Sequence, residues 1–246
     1  MIAFCVKTRR KLLAGVLIAL SANACDSYEV TPVMDAVVHL PFEATLDNVG
    51  SAPITAEAHD GKAAFKKSKT GRALFAQGEG GWIEAASAEK LMLGDVVEIS
   101  FDFNRADWTN PYKAGSATQT LVAISGRSEK KIQHLAFNIS TGPVPSLYAV
   151  IEDTDGENHR LADPAGVVTP GWHRARLYVD RRSGQTSFYL DETLVAKEEV
   201  TPAVLINGVE RIKFGTWYKK NQAYRGHLDN FVIRNIGEET GAQAKL

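Results

Sequence analysis

Cysteine is almost missing from this chain. Cys5 and Cys25 are the only two among 246 residues, which excludes a disulfide framework, a Cys-x-x-Cys redox motif and a cysteine-built metal cluster. Neither sign of charge dominates: 28 basic and 29 acidic side chains leave a net charge of −1. A chain without a basic excess has no electrostatic footprint for nucleic acid, so that class of partner is set aside. No apolar run approaches the ~20 residues of a membrane-spanning helix. Amphipathic helix patterns are also wanting, and Ala85 to Leu93 would form one helical turn or two at most. The glycine cluster Gly78-Glu79-Gly80-Gly81 lacks the Lys-Ser/Thr that completes a phosphate cradle and is read as a turn.

What the chain does have is alternation. In Gly171 to Glu192, His173, Ala175, Leu177 and Val179 point one way while Trp172, Arg174, Arg176, Tyr178 and Asp180 point the other. The second arm repeats this, with Phe188 and Leu190 against Ser187, Tyr189 and Asp191. Period two marks half-buried strands, and Arg181 to Gln185, with Gly184, supplies the tight connection of a long hairpin. Asp95 to Asn104 alternates as clearly. Further strands are expected at 36–42, 63–65, 72–76, 118–125, 131–139, 146–152, 210–216 and 227–235, and 43–62 is read as loop. Turn signals such as Asn110-Pro111, Asp155-Gly156 and Asn207-Gly208 separate them. About a dozen short strands with turns between them predict an all-β sandwich, jelly roll or barrel. An apolar content of 44% supports one sizeable core.

The N-terminus has a different logic. Lys7, Arg9, Arg10 and Lys11 precede the apolar run Leu12 to Leu20, small residues follow, and Cys25 ends the segment. That order predicts a secretory signal over residues 1–24. Two cleavage patterns fit: Ala22-Asn23-Ala24 suits ordinary signal peptidase, while small residues leading straight into Cys25 resemble a bacterial lipobox, with Cys25 the lipidated residue. The latter predicts an exported protein of the bacterial cell envelope, anchored on its periplasmic or surface side. Thr8 to Leu13 also looks like a twin-arginine signal, with a generic basic region as the simpler reading. Without the signal, 24 basic side chains face 29 acidic ones. Residues 25–35 read as a tether, 36–236 as one domain and 237–246 as a tail.

Three segments in order carry a family resemblance. His39-Leu40-Pro41-Phe42-Glu43 followed by Gly71-Arg72-Ala73-Leu74-Phe75 resembles the opening of concanavalin A-like, laminin-G-like jelly-roll domains. Gly171-Trp172-His173 with Tyr178-Val179-Asp180 and Phe188 to Asp191 resembles their central hairpin, and Gly226 to Ile233 their closing strand. The resemblance covers roughly residues 36–236. It implies a two-sheet antiparallel jelly-roll sandwich with six or seven strands per sheet. It also implies a structural calcium, with Glu43, Asp47 and Asp229 as ligands (Asp60 lies in a corresponding stretch), since hard cations take several oxygen donors.

The superfamily that the chain resembles includes hydrolases and lyases, each with its own residue pattern. Glu98 and Asp102 share a strand face, but four residues at ~3.3 Å separate them by roughly 13 Å, against ~5–9.5 Å between working glycosidase carboxyls. They are read as solvated charges. Arg127-Ser128-Glu129, Gln133-His134 and Tyr218-Lys219-Lys220…Tyr224 echo a lyase set, but adjacent Gln133 and His134 point to opposite faces of a strand. His134 is read as an ordinary strand histidine and His173 as a packed one. Trp108, Tyr112, Trp217 and Tyr218, near loops or strand ends, are the aromatics suited to stacking on sugar. The expectation is a monomeric, non-catalytic, envelope-anchored module for carbohydrate or a surface protein. A polysaccharide-active enzyme of the same fold and a ligand-free structural lipoprotein are the alternatives.

Overall fold

The computed structural model describes residues 33, 35–59, 64–68, 71–77, 82–105, 118–127, 132–140, 144–162, 166–216 and 223–236. Fifteen strands and one short helix make up the described elements. In chain order they are β1 (Ala36–Leu40), β2 (Ile54–His59), β3 (Ala64–Lys67), β4 (Arg72–Gln77), β5 (Trp82–Leu91), β6 (Val96–Arg105), β7 (Thr118–Arg127) and β8 (Ile132–Ser140). There follow β9 (Leu147–Glu152), β10 (Asn158–Leu161), β11 (His173–Asp180), β12 (Gln185–Leu190), β13 (Thr193–Glu199), α1 (Ala203–Asn207), β14 (Val209–Phe214) and β15 (Arg225–Asn235).

The strands form two antiparallel sheets, stacked as a jelly-roll sandwich. The first runs β13-β12-β11-β6-β15-β4-β3, with β1 joining the far half of β15 beyond β4. The second runs β10-β9-β8-β7-β14-β5-β2. The hairpin read from the sequence is β11–β12, paired from Ala175↔Leu190 to Asp180↔Gln185. Its inner residues Ala175, Leu177, Val179 and Phe188 are fully buried. β6 repeats the pattern: Val97, Ile99, Phe101 and Phe103 enter the core, and the alternate residues face outward.

Three differences from the sequence reading have physical causes. Residues 43–62 are not all loop: Ile54–His59 forms β2, an edge strand paired with β5, whose small alanines gave weak alternation between turn signals. The Ala85–Leu93 stretch has helix-forming composition, yet through Leu91 it extends β5, because β2 and β14 pair along both its edges. α1 contributes buried Ala203, Val204 and Leu205, too few residues for a helical period. Among the described residues, no helix is long and apolar enough to cross a membrane.

Candidate ligand-binding cleft

The outward row of β6 is not uniformly wet. Glu98 is buried and ion-paired with Arg234 at 3.0 Å, which corrects its reading as a solvated charge. Asp102, four residues on, keeps 26% side-chain exposure and lies in register between Arg174 of β11 and Asp229 of β15. The closing strand changes phase at that level. A register shift lies between Asp229 and Val232, and Leu228 and Phe231 on either side both enter the core. Two residues therefore stand where one would fit, a β-bulge. Asn230 takes the left-handed conformation with φ 47°, which asparagine tolerates better than most residues. Its side-chain amide donates to Asp102 Oδ2 at 3.1 Å, and its backbone N–H donates to Asp229 Oδ1 at 2.9 Å.

The opposite wall is built by the β12–β13 turn. Asp191 and Glu192, at φ 48° and 67°, form a two-residue connection of the kind that usually holds asparagine and glycine. Aspartate is used here for its carboxylate. Asp191 Oδ1 accepts from the Arg174 N–H at 2.8 Å, and Oδ2 lies 2.6 Å from His173 Nδ1. His173 Nε2 bonds the Thr169 carbonyl at 2.7 Å. The packed reading of His173 therefore holds, and with both ring nitrogens engaged it has none left to act as a base. Trp172 forms the rim beside it. These groups enclose a half-open cleft of about 270 Å³. Beyond Trp172 the aromatic surface continues: its ring lies 5.8 Å from His227, which lies 4.8 Å from Phe75, over which Lys66 Nζ sits at 3.5 Å. Burial, then Lys66, holds the His227 ring below the usual imidazole range, so at neutral pH it is an uncharged flat surface.

Asp229 is the electrostatic centre. Its residue is 2% exposed, and burial pushes its carboxyl up to about 7, with Glu43 and Asp102 adding like-charge repulsion against the bonds from Asn230 and Ser68. Glu43 reaches it from the end of β1. Its Oε2 accepts from the Arg72 N–H at 2.8 Å, and a Cβ at Gly71 would collide with that carboxylate, which explains the glycine. Phe42 and Ala44, flanking Glu43, hold φ of 56° and 119°, an outlay of backbone strain that fixes the carboxylate's direction.

Of the three calcium ligands expected from the sequence, Glu43 lies near enough to Asp229 to raise its carboxyl. Asp47 is exposed in its own turn, its N–H 3.4 Å from Thr45 Oγ1. Asp60, Trp108, Tyr112, Trp217, Tyr218 and Cys25 lie outside the described residues. His134 bonds Glu152 at 3.0 Å and Asn158 at 3.1 Å on the outer face of the second sheet, while Gln133 on the other side accepts from Asn207. Gln133 and His134 thus point to opposite faces, and of the lyase-like set Ser128, Glu129 and Tyr218 to Lys220 lie outside the described residues. Asn230 and Asp191 were missed as site residues. The pattern Asp229-Asn230 before an apolar run was visible, but the bulge that turns both outward was not.

No family model matches the sequence, and no curated protein does. Solved structures do resemble it. The binding domain of Paraclostridial Mosquitocidal Protein 1 aligns over 82% of this chain and 49% of its own, at 14% identity and a TM-score of 0.62. Domain 4 of AbnA, a GH43 extracellular arabinanase from Geobacillus stearothermophilus solved with arabinotriose, aligns over 82% and 92%, at 15% and 0.57. The binding domain of botulinum neurotoxin DC in complex with SialylT aligns over 81% and 47%, at 15% and 0.60. The likeness is one of fold. This chain spans about half the length of the toxin domains and nearly all of the arabinanase domain.

Proposed function

We propose that this chain is a non-catalytic glycan-binding module, exported and held at the bacterial envelope by lipid on Cys25, with the Asp102–Asp229–Trp172 cleft as its sugar site. The observation that carries this reading is the composition of the cleft: a half-buried indole ring beside fixed, planar polar groups, namely Asp102, Asn230, Arg174 and Asp229. A sugar ring presents C–H faces to an aromatic and hydroxyls to carboxylate and amide groups, so this pairing suits it. The arabinanase domain and the neurotoxin binding domain, solved with arabinotriose and with SialylT, are consistent with glycan binding on this fold. In sequence Trp108 and Tyr112 follow β6, and Trp217 and Tyr218 precede β15; these aromatics are proposed to extend the contact. Calcium is proposed to sit between Glu43 and Asp229, whose oxygen donors and mutual repulsion suit a hard cation.

A second reading, a glycan-active hydrolase, has one observation in its favour. A carboxyl raised to about 7 beside another carboxylate is how acid and base are set apart in such enzymes. The binding reading is preferred because Asp102 and Asp229 are each already bonded to Asn230, and His173 has no free nitrogen. The test is a glycan array followed by calorimetry on protein isolated from its native membrane, with reducing-sugar release measured in parallel. Binding without turnover is expected, and Trp172→Ala should weaken it about tenfold, the ~1.4 kcal/mol typical of one aromatic contact. Sugar release, or a Trp172→Ala protein that binds as before, would refute this reading. An unmodified Cys25 peptide by mass would remove the anchor.

A further inference from the structure

We propose that the sugar site continues from the cleft along the outer face of the first sheet, so that the protein binds a linear glycan of three or more residues and not a single terminal sugar. The path runs from the cleft over Trp172 and His227 to Lys66. It rests on the glycan-binding reading of the same cleft and adds chain length to it.

Strand alternation sets the path. Leu228 of β15, Leu74 of β4 and Phe103 of β6 are buried in the core, so their neighbours His227, Phe75 and Asn104 stand on the outer face. Register puts these three in one row, Asn104↔His227↔Phe75, which Ala64 of β3 continues. Lys66, two residues on from Ala64, shares that face. Trp172 precedes His173, the partner of Phe103, and ends the row on the β11 side. From β11 to β3 the sheet makes four steps of ~4.8 Å, about 19 Å in all, a length suited to about three sugar residues in line.

The groups along that row are those a sugar chain meets. Trp172 and His227 belong to strands separated by β6, two steps or roughly 10 Å apart, yet their rings lie 5.8 Å from each other. The two half-buried rings therefore lean together across β6, a strip of ring carbon beside the Asn104 amide. His227 in turn meets Phe75 at 4.8 Å. Phe75 is only 8% exposed, so its part is to hold Lys66, whose Nζ lies 3.5 Å from the ring centroid. That cation–π contact fixes an exposed ammonium at the end of the row. Its N–H donors suit the hydroxyl and ring oxygens of a sugar. One residue of the glycan lies in the cleft against Trp172, a second over His227 and a third at Lys66.

The experiment is calorimetry of the full chain with arabinose, xylose and galactose and their linear di- and trisaccharides. In a series that binds, the trisaccharide should bind at least about tenfold more tightly than the monosaccharide. Lys66→Ala and His227→Ala should each lower trisaccharide affinity about fivefold and leave monosaccharide affinity unchanged, whereas Trp172→Ala should lower both. Lys66→Arg, which can keep its place over Phe75, should bind the trisaccharide as the parent does. If His227→Ala fails to fold, the exposed Lys66 variants carry the test. A trisaccharide that binds no more tightly than its monosaccharide, or that is indifferent to Lys66→Ala, would overturn the extended site while leaving glycan binding in the cleft intact. Failure of every sugar to bind would overturn the glycan reading and this inference with it.

Discussion

Asp229 shows how one side chain can serve a site at a cost to the fold. Its carboxyl is raised from an ordinary value of 3.8 to about 7, first by burial and then by Glu43 and Asp102. Between those two values the folded protein holds a proton that the unfolded chain releases, so the folded state is favoured at the acid end. That contribution is fully present below about pH 4 and is lost as pH rises through 7. Asp229→Asn should therefore unfold at a higher temperature than the parent at pH 8, by roughly 2–4 °C for each 1 kcal/mol of relief, and show little difference near pH 4. Calcium, if held by Glu43 and Asp229, should raise the parent's melting temperature at pH 8 and leave that of Asp229→Asn unmoved. Scanning calorimetry with and without calcium reads both effects, and a variant melting at or below the parent at pH 8 would defeat the account. Asp229 could be singled out from the sequence because an acid preceded the closing apolar run. Glu98 could not be read correctly, since its partner Arg234 lies 136 residues away.

At the scale of elements, legibility followed local periodicity. β6, β11 and β12 alternate over six to ten residues and were readable without their neighbours. β10 and β13 were not, because β10 has only four residues, Asn158–Leu161, and β13 exposes much of its length, so neither carries a clean apolar face. The β12–β13 turn is the harder lesson. Asp191-Glu192 lacks the glycine that announces such a connection, yet both residues hold positive φ. The carboxylate's bonds to Arg174 N–H and His173 offset that strain, and Glu192 pairs with Arg176 at 2.6 Å. Asp191→Ala should lose both bonds and keep the strain, costing about 1–3 kcal/mol in urea denaturation. It should also loosen the cleft wall and weaken sugar binding. Unchanged stability would mean that the turn is held by its strands alone.

The whole molecule is joined by a file of aromatic rings that crosses between the sheets. Phe188 of β12 meets Phe137 of β8 at 6.0 Å, and Phe137 meets Phe101 of β6 edge-on at 5.1 Å. Phe101 lies 6.5 Å from Phe231 of β15, which meets Phe214 of β14 at 4.9 Å, and Phe214 meets Phe42 at 5.2 Å. All six are among the largest fully buried side chains. That a core of this kind existed was plain from the inward residues of β6 and the hairpin; which ring meets which was not, because the order of strands in a sheet is set by long-range pairing. Phe101 touches rings from both sheets and stands on the strand that carries Asp102, so the core and the cleft share one element. Phe101→Ala should leave a cavity the sandwich cannot close and cost about 3–5 kcal/mol. If the two sheets form one cooperative unit, circular dichroism and tryptophan fluorescence should report a single, coincident, earlier transition. Two separated transitions would mean that the sheets unfold independently and that the ring file does not couple them.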